Sequence, residues 1–195
     1  ETAFVRLMEN TSEGLLVPAG GRLEAMARQY FSGPIRTVGE AGDYCHRVVS
    51  SDLEGVTIAL EGQFDPQQVH LPLPGTFNVR NAVAALAAMH WMLDSTPPET
   101  VFAGFPGLHR RQQRLLEQGT LSIWEDYAHH PTEIKEFLSL MQGHYPGREV
   151  DVVFQPHRYS RTRTLKRELA QALAPADRIF IQPVYGASEA EEESG

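Results

Sequence analysis

Leu121-Ser122-Ile123-Trp124-Glu125, Val150-Asp151-Val152-Val153-Phe154 and Ile179-Phe180-Ile181 are three short apolar runs, and what lies between them decides the fold. Ile134, Phe137, Leu138 and Met141 recur at i, i+3, i+4 and i+7, and Leu165, Leu169 and Ala172 repeat the pattern more loosely, so the order reads strand, helix, strand, helix, strand. This order predicts an α/β fold with a parallel, doubly wound sheet. In such sheets ligands bind beyond the carboxyl ends of the strands. Here those ends carry Asp126-Tyr127-Ala128-His129-His130-Pro131, Gln155-Pro156-His157-Arg158-Tyr159-Ser160-Arg161 and Pro183-Val184-Tyr185, and the three polar loops are expected to converge on one edge.

Upstream, Leu15-Leu16-Val17 reads as a strand and Leu23 to Tyr30 as a helix, an αβ unit belonging to a larger sheet. His46–Ser51 and Val56–Leu60, joined by Asp52-Leu53-Glu54-Gly55, predict a hairpin. After the break at Pro74-Gly75, the residues Val79, Ala82, Val83, Leu86, Met89 and Leu93 form one apolar helix face. A further helix is expected from Pro97-Pro98 to Gly104–Gly107, because proline suits a first turn and glycine an exit. The apolar pattern restarts at Leu121 after the charged segment Arg110–Gly119, so two compact units are expected to meet near Leu115 to Gly119.

The 195 residues are 42% hydrophobic, enough for one large or two small cores. A formal net charge of −8 argues against a phosphate-neutralising surface, so no nucleic-acid partner is expected. The local clusters Arg110-Arg111 and Arg158–Arg161 suit small phosphorylated or carboxylated ligands instead. Cys45 is the sole cysteine, which leaves no internal disulfide and no cysteine-based zinc site, consistent with a reducing cytoplasm. No secretory pattern opens the chain, and its longest apolar stretch, Ala82 to Met89, falls far short of the roughly 20 residues of a membrane helix. The expectation is a soluble, cytoplasmic protein with no membrane partner.

The stretches LPLPGTFNVRNAVAALAA (71–88), Arg110-Arg111, EDYAHHPTEI (125–134), VVFQPHRYSRT (152–162) and PVYGASE (183–189) together resemble the Mur ligases, over essentially the whole chain and in the family's order. The DYAHHP and QPHRYSRT loops are the most specific of these, and they favour the branch that adds L-alanine to UDP-N-acetylmuramate. The resemblance implies a ligase that moves the γ-phosphoryl group of ATP, with Mg²⁺, to a carboxylate, after which an amine attacks the acyl phosphate during peptidoglycan precursor synthesis. It implies that residues 1–117 are the second half of a central ATP-binding α/β domain, and that 118–195 are the first part of a Rossmann-like C-terminal domain that presents the amino acid. The chain holds no GxxxxGK[ST] phosphate loop, so that loop and the Mg²⁺ ligands are expected upstream. Truncation or disorder on both sides, and a piece inactive alone, are the corresponding expectations.

By the same resemblance Asn78 and Asn81 lie near adenine, Arg110 or Arg111 near the ATP phosphates and Asp126 near the ribose, while His129, His157, Arg158 and Arg161 orient the amino acid. Planar guanidinium forks at Arg158 and Arg161 suit a carboxylate. Each role has a plainer competitor: solvated charge at Arg110-Arg111, a helix start with His130 near the N-cap, a cap at Asn78, and packing at Tyr127, Tyr159 and Tyr185. Adjacent histidines project differently and lack a third ligand, so no zinc is expected. The chain departs from the family at Phe77, where histidine is usual, at His109, where lysine is common, and at Gln112, where an aromatic is usual. A recycling ligase that accepts a peptide, and a non-catalytic nucleotide- or sugar-binding paralogue, are the alternative readings.

Overall fold

The computed structural model describes residues 2–189, so the acidic end beyond Glu189 lies outside them. The chain divides into two compact units, Glu1–Pro106 and Gly107–Gly195.

In the first unit the elements run α1 (Thr2–Glu9), β1 (Leu15–Pro18), α2 (Arg22–Tyr30), β2 (Ile35–Val38), β3 (Tyr44–Ser51), β4 (Val56–Gly62), β5 (Gln67–Leu71) and α3 (Thr76–Leu93). The strands form one sheet in the order β1-β2-β3-β4-β5. β1 pairs parallel to β2 with Leu15 opposite Ile35, β2 meets β3 in parallel at Val38 and Tyr44, and the β3–β4 and β4–β5 pairs are antiparallel. Alternation along β4 sends Val56, Ile58 and Leu60 inward, and Val69 and Leu71 of β5 join them. Against this face lie Val79, Ala82, Val83, Leu86 and Ala87 of α3. A smaller cluster of Met8, Val17, Met26 and Ala27 holds α1 and α2 against β1.

The expected αβ unit and hairpin are present, and the Asp52 carboxylate closes the hairpin by accepting from the Glu54 and Gly55 amides at 2.8 and 3.0 Å. Gly62 has φ 80°, and an added Cβ there would run into the Asp43 carbonyl. Two expectations need correction. Leu93 does not extend the buried face of α3, since it is 65% exposed at the helix end, where Asp94 turns left-handed. The segment from Pro97 to Gly107 is not helical. It makes successive turns, Val101 to Pro98, Ala103 to Thr100 and Phe105 to Phe102, with Gly104 and Gly107 at positive φ. Proline and glycine cues without apolar periodicity do not propagate a helix.

In the second unit β6 (Gln113–Gln118) and β7 (Leu121–Glu125) form an antiparallel hairpin. They are followed by α4 (Pro131–His144), β8 (Asp151–Phe154), α5 (Tyr159–Thr164), α6 (Lys166–Leu173) and β9 (Arg178–Ile181). β8 and β9 pair parallel, with Val152 opposite Ile179, as the strand–helix–strand reading requires. The core joins Ile134 and Leu138 of α4 to Leu169, Ala172 and Leu173 of α6 and Phe154 of β8.

The single three-stranded parallel sheet is corrected, because β7 pairs with β6 and not with β8. The cause is the two-residue loop Gly119-Thr120, with Gly119 at φ 57°, which folds the chain straight back on itself. The same hairpin moves the expected boundary. Residues 113–118 pair with 121–125 and belong to the second unit, so the division falls between Pro106 and Gly107, not between 117 and 118.

Candidate functional site

The site builds up from the loops that leave β7, β8 and β9. Asp126 directly follows β7, and its two carboxylate oxygens accept from the Gln112 amide at 2.9 Å and the Ala128 amide at 2.6 Å. Burial pushes its pKa up, against the lowering effect of those amides and of Arg111. Asp126 therefore clamps the loop before β6 to the loop after β7. A carboxylate oxygen has a second lone pair, so this clamp leaves acceptor capacity for a ligand hydroxyl.

Arg110 and Arg111 are not free surface charges. Their guanidinium carbons lie 5.0 and 5.7 Å from the centre of the Tyr127 ring, within cation–π reach. Arg110 also donates to Glu125 at 2.9 Å, and Arg111 faces Glu133 at 3.5 Å. The Tyr127 amide donates to the Arg110 carbonyl at 2.6 Å. Arg110 and Gln112 carry φ of 60° and 46°, and Arg158 in the next loop carries 71°. Left-handed non-glycine residues cost free energy and concentrate at functional loops.

His129 and His130 divide their roles. His130 is the N-cap of α4, its Nδ1 accepting from the Thr132 amide at 3.3 Å, while Pro131 opens the helix. Glu133 completes the capping box by accepting from the His130 and His129 amides at 3.1 and 3.0 Å. Burial raises the pKa of Glu133, but those two amides, with His129 and Arg111, bring it below its ordinary value. His129 Nδ1 lies 3.0 Å from the Tyr127 carbonyl, which only accepts, so Nδ1 carries a proton and points it at the loop backbone.

The β8 loop meets this group from the other side. The His157 ring centre lies 6.0 Å from that of His129, 6.2 Å from Tyr127 and 5.4 Å from Tyr185, so residues of all three loops come together. The Arg158 amide donates to the Tyr185 carbonyl and the Tyr185 amide to the Pro156 carbonyl, each at 2.8 Å, which joins the second loop to the third. Glu189 reinforces the junction, accepting from the Ser160 amide at 3.0 Å and its hydroxyl at 2.7 Å. Burial lowers the His157 pKa, with the positive fields of Arg161, His129 and Arg158 acting in the same direction, so the imidazole is neutral at pH 7. Its Nδ1 and the Nη1 of Arg161 are buried without a hydrogen-bond partner. A neutral acceptor beside two guanidinium groups suits a molecule that carries both an amine and a carboxylate.

The second unit thus gathers Arg110, Arg111, Asp126, His129, His157, Arg158 and Arg161. Asn78 and Asn81 belong to the first unit, in the opening turns of α3. Asn78 donates to the Pro74 carbonyl at 2.7 Å, while Gly75 is the N-cap, and Asn81 is exposed. Glu133, Ser160 and Glu189 went unnoticed in the sequence. The spacing of His130 to Glu133 before an apolar run was a usable signal for the first; Glu189 meets Ser160 across 29 positions and offers none. No group of three or more His, Cys, Asp or Glu among the described residues is placed to hold a metal ion. No helix among them is long and apolar enough to cross a membrane.

Residues 110–194 match the family described as Mur ligase, glutamate ligase domain. A UDP-N-acetylmuramate–L-alanine ligase from Cytophaga hutchinsonii is 35% identical over 159 residues, covering 78% of this chain and 34% of the relative. Among solved structures, the UDP-N-acetylmuramate–alanine ligase of Thermotoga maritima superposes with a TM-score of 0.71 at 25% identity, covering 94% of this chain and 40% of that one. A murein peptide ligase from Psychrobacter arcticus superposes at 0.62 with 17% identity, over 93% of this chain and 46% of its own, a likeness of fold alone. The chain spans about a third of the length of the curated relative. Its residues 110–194 belong to the Mur ligase family.

Proposed function

We propose that this chain is part of an ATP-dependent, amide-bond-forming ligase that joins L-alanine to UDP-N-acetylmuramate in peptidoglycan precursor synthesis in the cytoplasm. Residues up to Pro106 are the second half of the ATP-binding domain, and those from Gly107 are the first part of the domain presenting the amino acid. The observation that carries this reading is the convergence of the β7, β8 and β9 loops on His129, His157 and the Arg158–Arg161 pair. The name shared by the relatives supports the choice of substrates.

In such a reaction the lactyl carboxylate attacks the γ-phosphorus of ATP, ADP leaves, and an acyl phosphate forms. The amine of L-alanine then attacks the acyl carbon, phosphate leaves, and the amine proton passes to solvent or to a nearby base. Positioning and charge stabilisation dominate this chemistry, and no covalent side-chain nucleophile is required. Arg161, with its buried unpartnered Nη1, and Arg158 are suited to grip the amino-acid carboxylate. His157, held neutral, does not repel the amine and can accept from it. Arg110 and Arg111, steadied on Tyr127, offer positive charge to phosphate, and Asp126 keeps acceptor capacity for ribose. Asn78 and Asn81 are assigned to the adenine side.

The residues present do not fit Mg²⁺. No acidic cluster among the described residues is placed to ligate it, and the sequence contains no phosphate-loop motif, so no step is assigned to the metal here. Both belong to the rest of the ligase, and this piece is expected to be inactive alone. The test is phosphate release by the full-length enzyme. Release from ATP that requires both UDP-N-acetylmuramate and L-alanine supports the proposal, whereas preference for a tripeptide over L-alanine moves the protein to the recycling branch, and no turnover with either points to a binding paralogue.

A further inference from the structure

β7 and β8 share no hydrogen bonds, and a cavity of about 260 Å³ opens beside them. Its walls are mainly apolar, with Ile134, Phe137, Leu138 and Met141 of α4 facing Val152 and Phe154 of β8. An apolar cavity of about 150 Å³ is enough to take benzene, so this one has room for a substituted ring. Ser122, Trp124 and Tyr145 also line it, as do charged residues that include Arg148 and Glu149. The Ser122 hydroxyl, the Trp124 indole N–H and the Tyr145 hydroxyl are all buried without a hydrogen-bond partner. Buried polar groups left unsatisfied are costly, so three along one cavity mark a place where a polar atom of a guest would be stabilised.

We propose that this cavity is a second binding site, adjoining the loop cluster at Asp126, for a small uncharged molecule with an aromatic or branched apolar body and one hydrogen-bond acceptor such as a carbonyl. The donors set that chemistry. An indole N–H only donates, and the two hydroxyls can donate to the same acceptor, whereas a bare hydrocarbon satisfies none of them. Arg148 lines the cavity too, but it donates to the Thr120 carbonyl, and three carboxylates, Asp126, Glu149 and Asp151, line it against that one cation, so a neutral acceptor is favoured over a carboxylate. Asp126 and Ala128 line the cavity as well, and the hydrogen bond between them shapes the loop that carries His129. A guest here therefore shares the Asp126 wall with the loop cluster and is placed to be sensed at the ligand-binding loops.

The 195-residue chain itself serves for the test, with acetophenone as the carbonyl probe and ethylbenzene as its near-isosteric hydrocarbon. Binding is followed by the indole N–H resonances of Trp91 and Trp124. The expected result is a saturable shift at Trp124, none at Trp91, and acetophenone binding about tenfold more tightly than ethylbenzene, the value of one buried hydrogen bond. The S122A/Y145F double variant keeps the cavity and removes both hydroxyls, so the preference falls to a few-fold while ethylbenzene binds as well or better. Equal affinity for the two probes, no Trp124 shift, or a preference untouched in the double variant overturns the proposal. Slow hydrogen exchange showing that β7 and β8 pair directly, with no space between them, overturns it as well.

Discussion

The two units bury their strands differently. In the first, Val56, Ile58 and Leu60 of β4 are at most 2% exposed, sealed between neighbouring strands and α3. In the second, Val153 is 69% exposed and Phe180 52%, and the core rests on α4 and α6 packed over Phe154. The contrast separates two tasks. The first unit spends its sequence on a closed apolar core. The second keeps a thinner one and carries a dense set of charged and aromatic loop residues.

The largest effect expected from this comparison is all or none. Chymotrypsin should cut first after Phe105 and Leu108, at the junction of the units, before Leu115 and Leu116. All four are exposed, at 39, 66, 54 and 39%, so pairing of β6 with β7 and not accessibility protects the latter two. First cuts at Leu115 or Leu116 would break the assignment of β6 to the second unit.

Next in size are core truncations. Ile58→Ala should destabilise the first unit by about 2–5 kcal/mol, read from the Trp91 unfolding transition. Val153→Ala should change the second by less than about 0.5 kcal/mol, read from Trp124. Similar losses at both positions would erase the distinction drawn between the units.

Titration sharpens the comparison further. The folded pKa of Glu133 lies below its ordinary 4.5, so its contribution to the second unit is present above pH 4.5 and is lost as pH falls through the folded value. Asp126 has the opposite sign. Its folded pKa is raised above 3.8, so its contribution is present below pH 3.8 and is lost as pH rises through the folded value. Replacing Glu133 by Gln should therefore reduce the loss of stability on acidification in the Trp124 transition and leave the Trp91 transition unchanged. An acid limb that is the same with and without Glu133 would remove the capping box from the account.

Much of this was legible in the sequence because simple periods carry it. The hairpin of β3 and β4, the face of α3 from Val79 to Leu86, and α4 with Ile134, Leu138 and Met141 all follow from apolar spacing. The convergence of three polar loops follows from strand order, and the ring contacts of His129, His157 and Tyr185 confirm that juxtaposition. β6 was not legible, because Gln-Arg-Leu-Leu-Glu-Gln has no alternation and its partner is defined only by the turn at Gly119. β2, four residues long, was too short to stand out. The Asp126 clamp on Gln112, the stacking of two arginines on Tyr127 and the left-handed Arg158 depend on contacts between residues distant in sequence or on backbone twist, neither of which has a local signature.

The central claim is that the arginine loop of the second unit presents the amino acid. The most direct measurement is the set of Michaelis constants for L-alanine, ATP and UDP-N-acetylmuramate in the full-length ligase carrying Arg161→Ala or Arg161→Lys, with thermal melts of each. Losing a charge-assisted contact of about 1.5–3 kcal/mol predicts a rise of about ten- to a hundredfold in the L-alanine constant. The other two constants should move little, the melting temperature should hold, and lysine should rescue only in part because it keeps the charge and loses the fork. Unchanged L-alanine kinetics with a lowered melting temperature would contradict the account and leave Arg161 a structural residue.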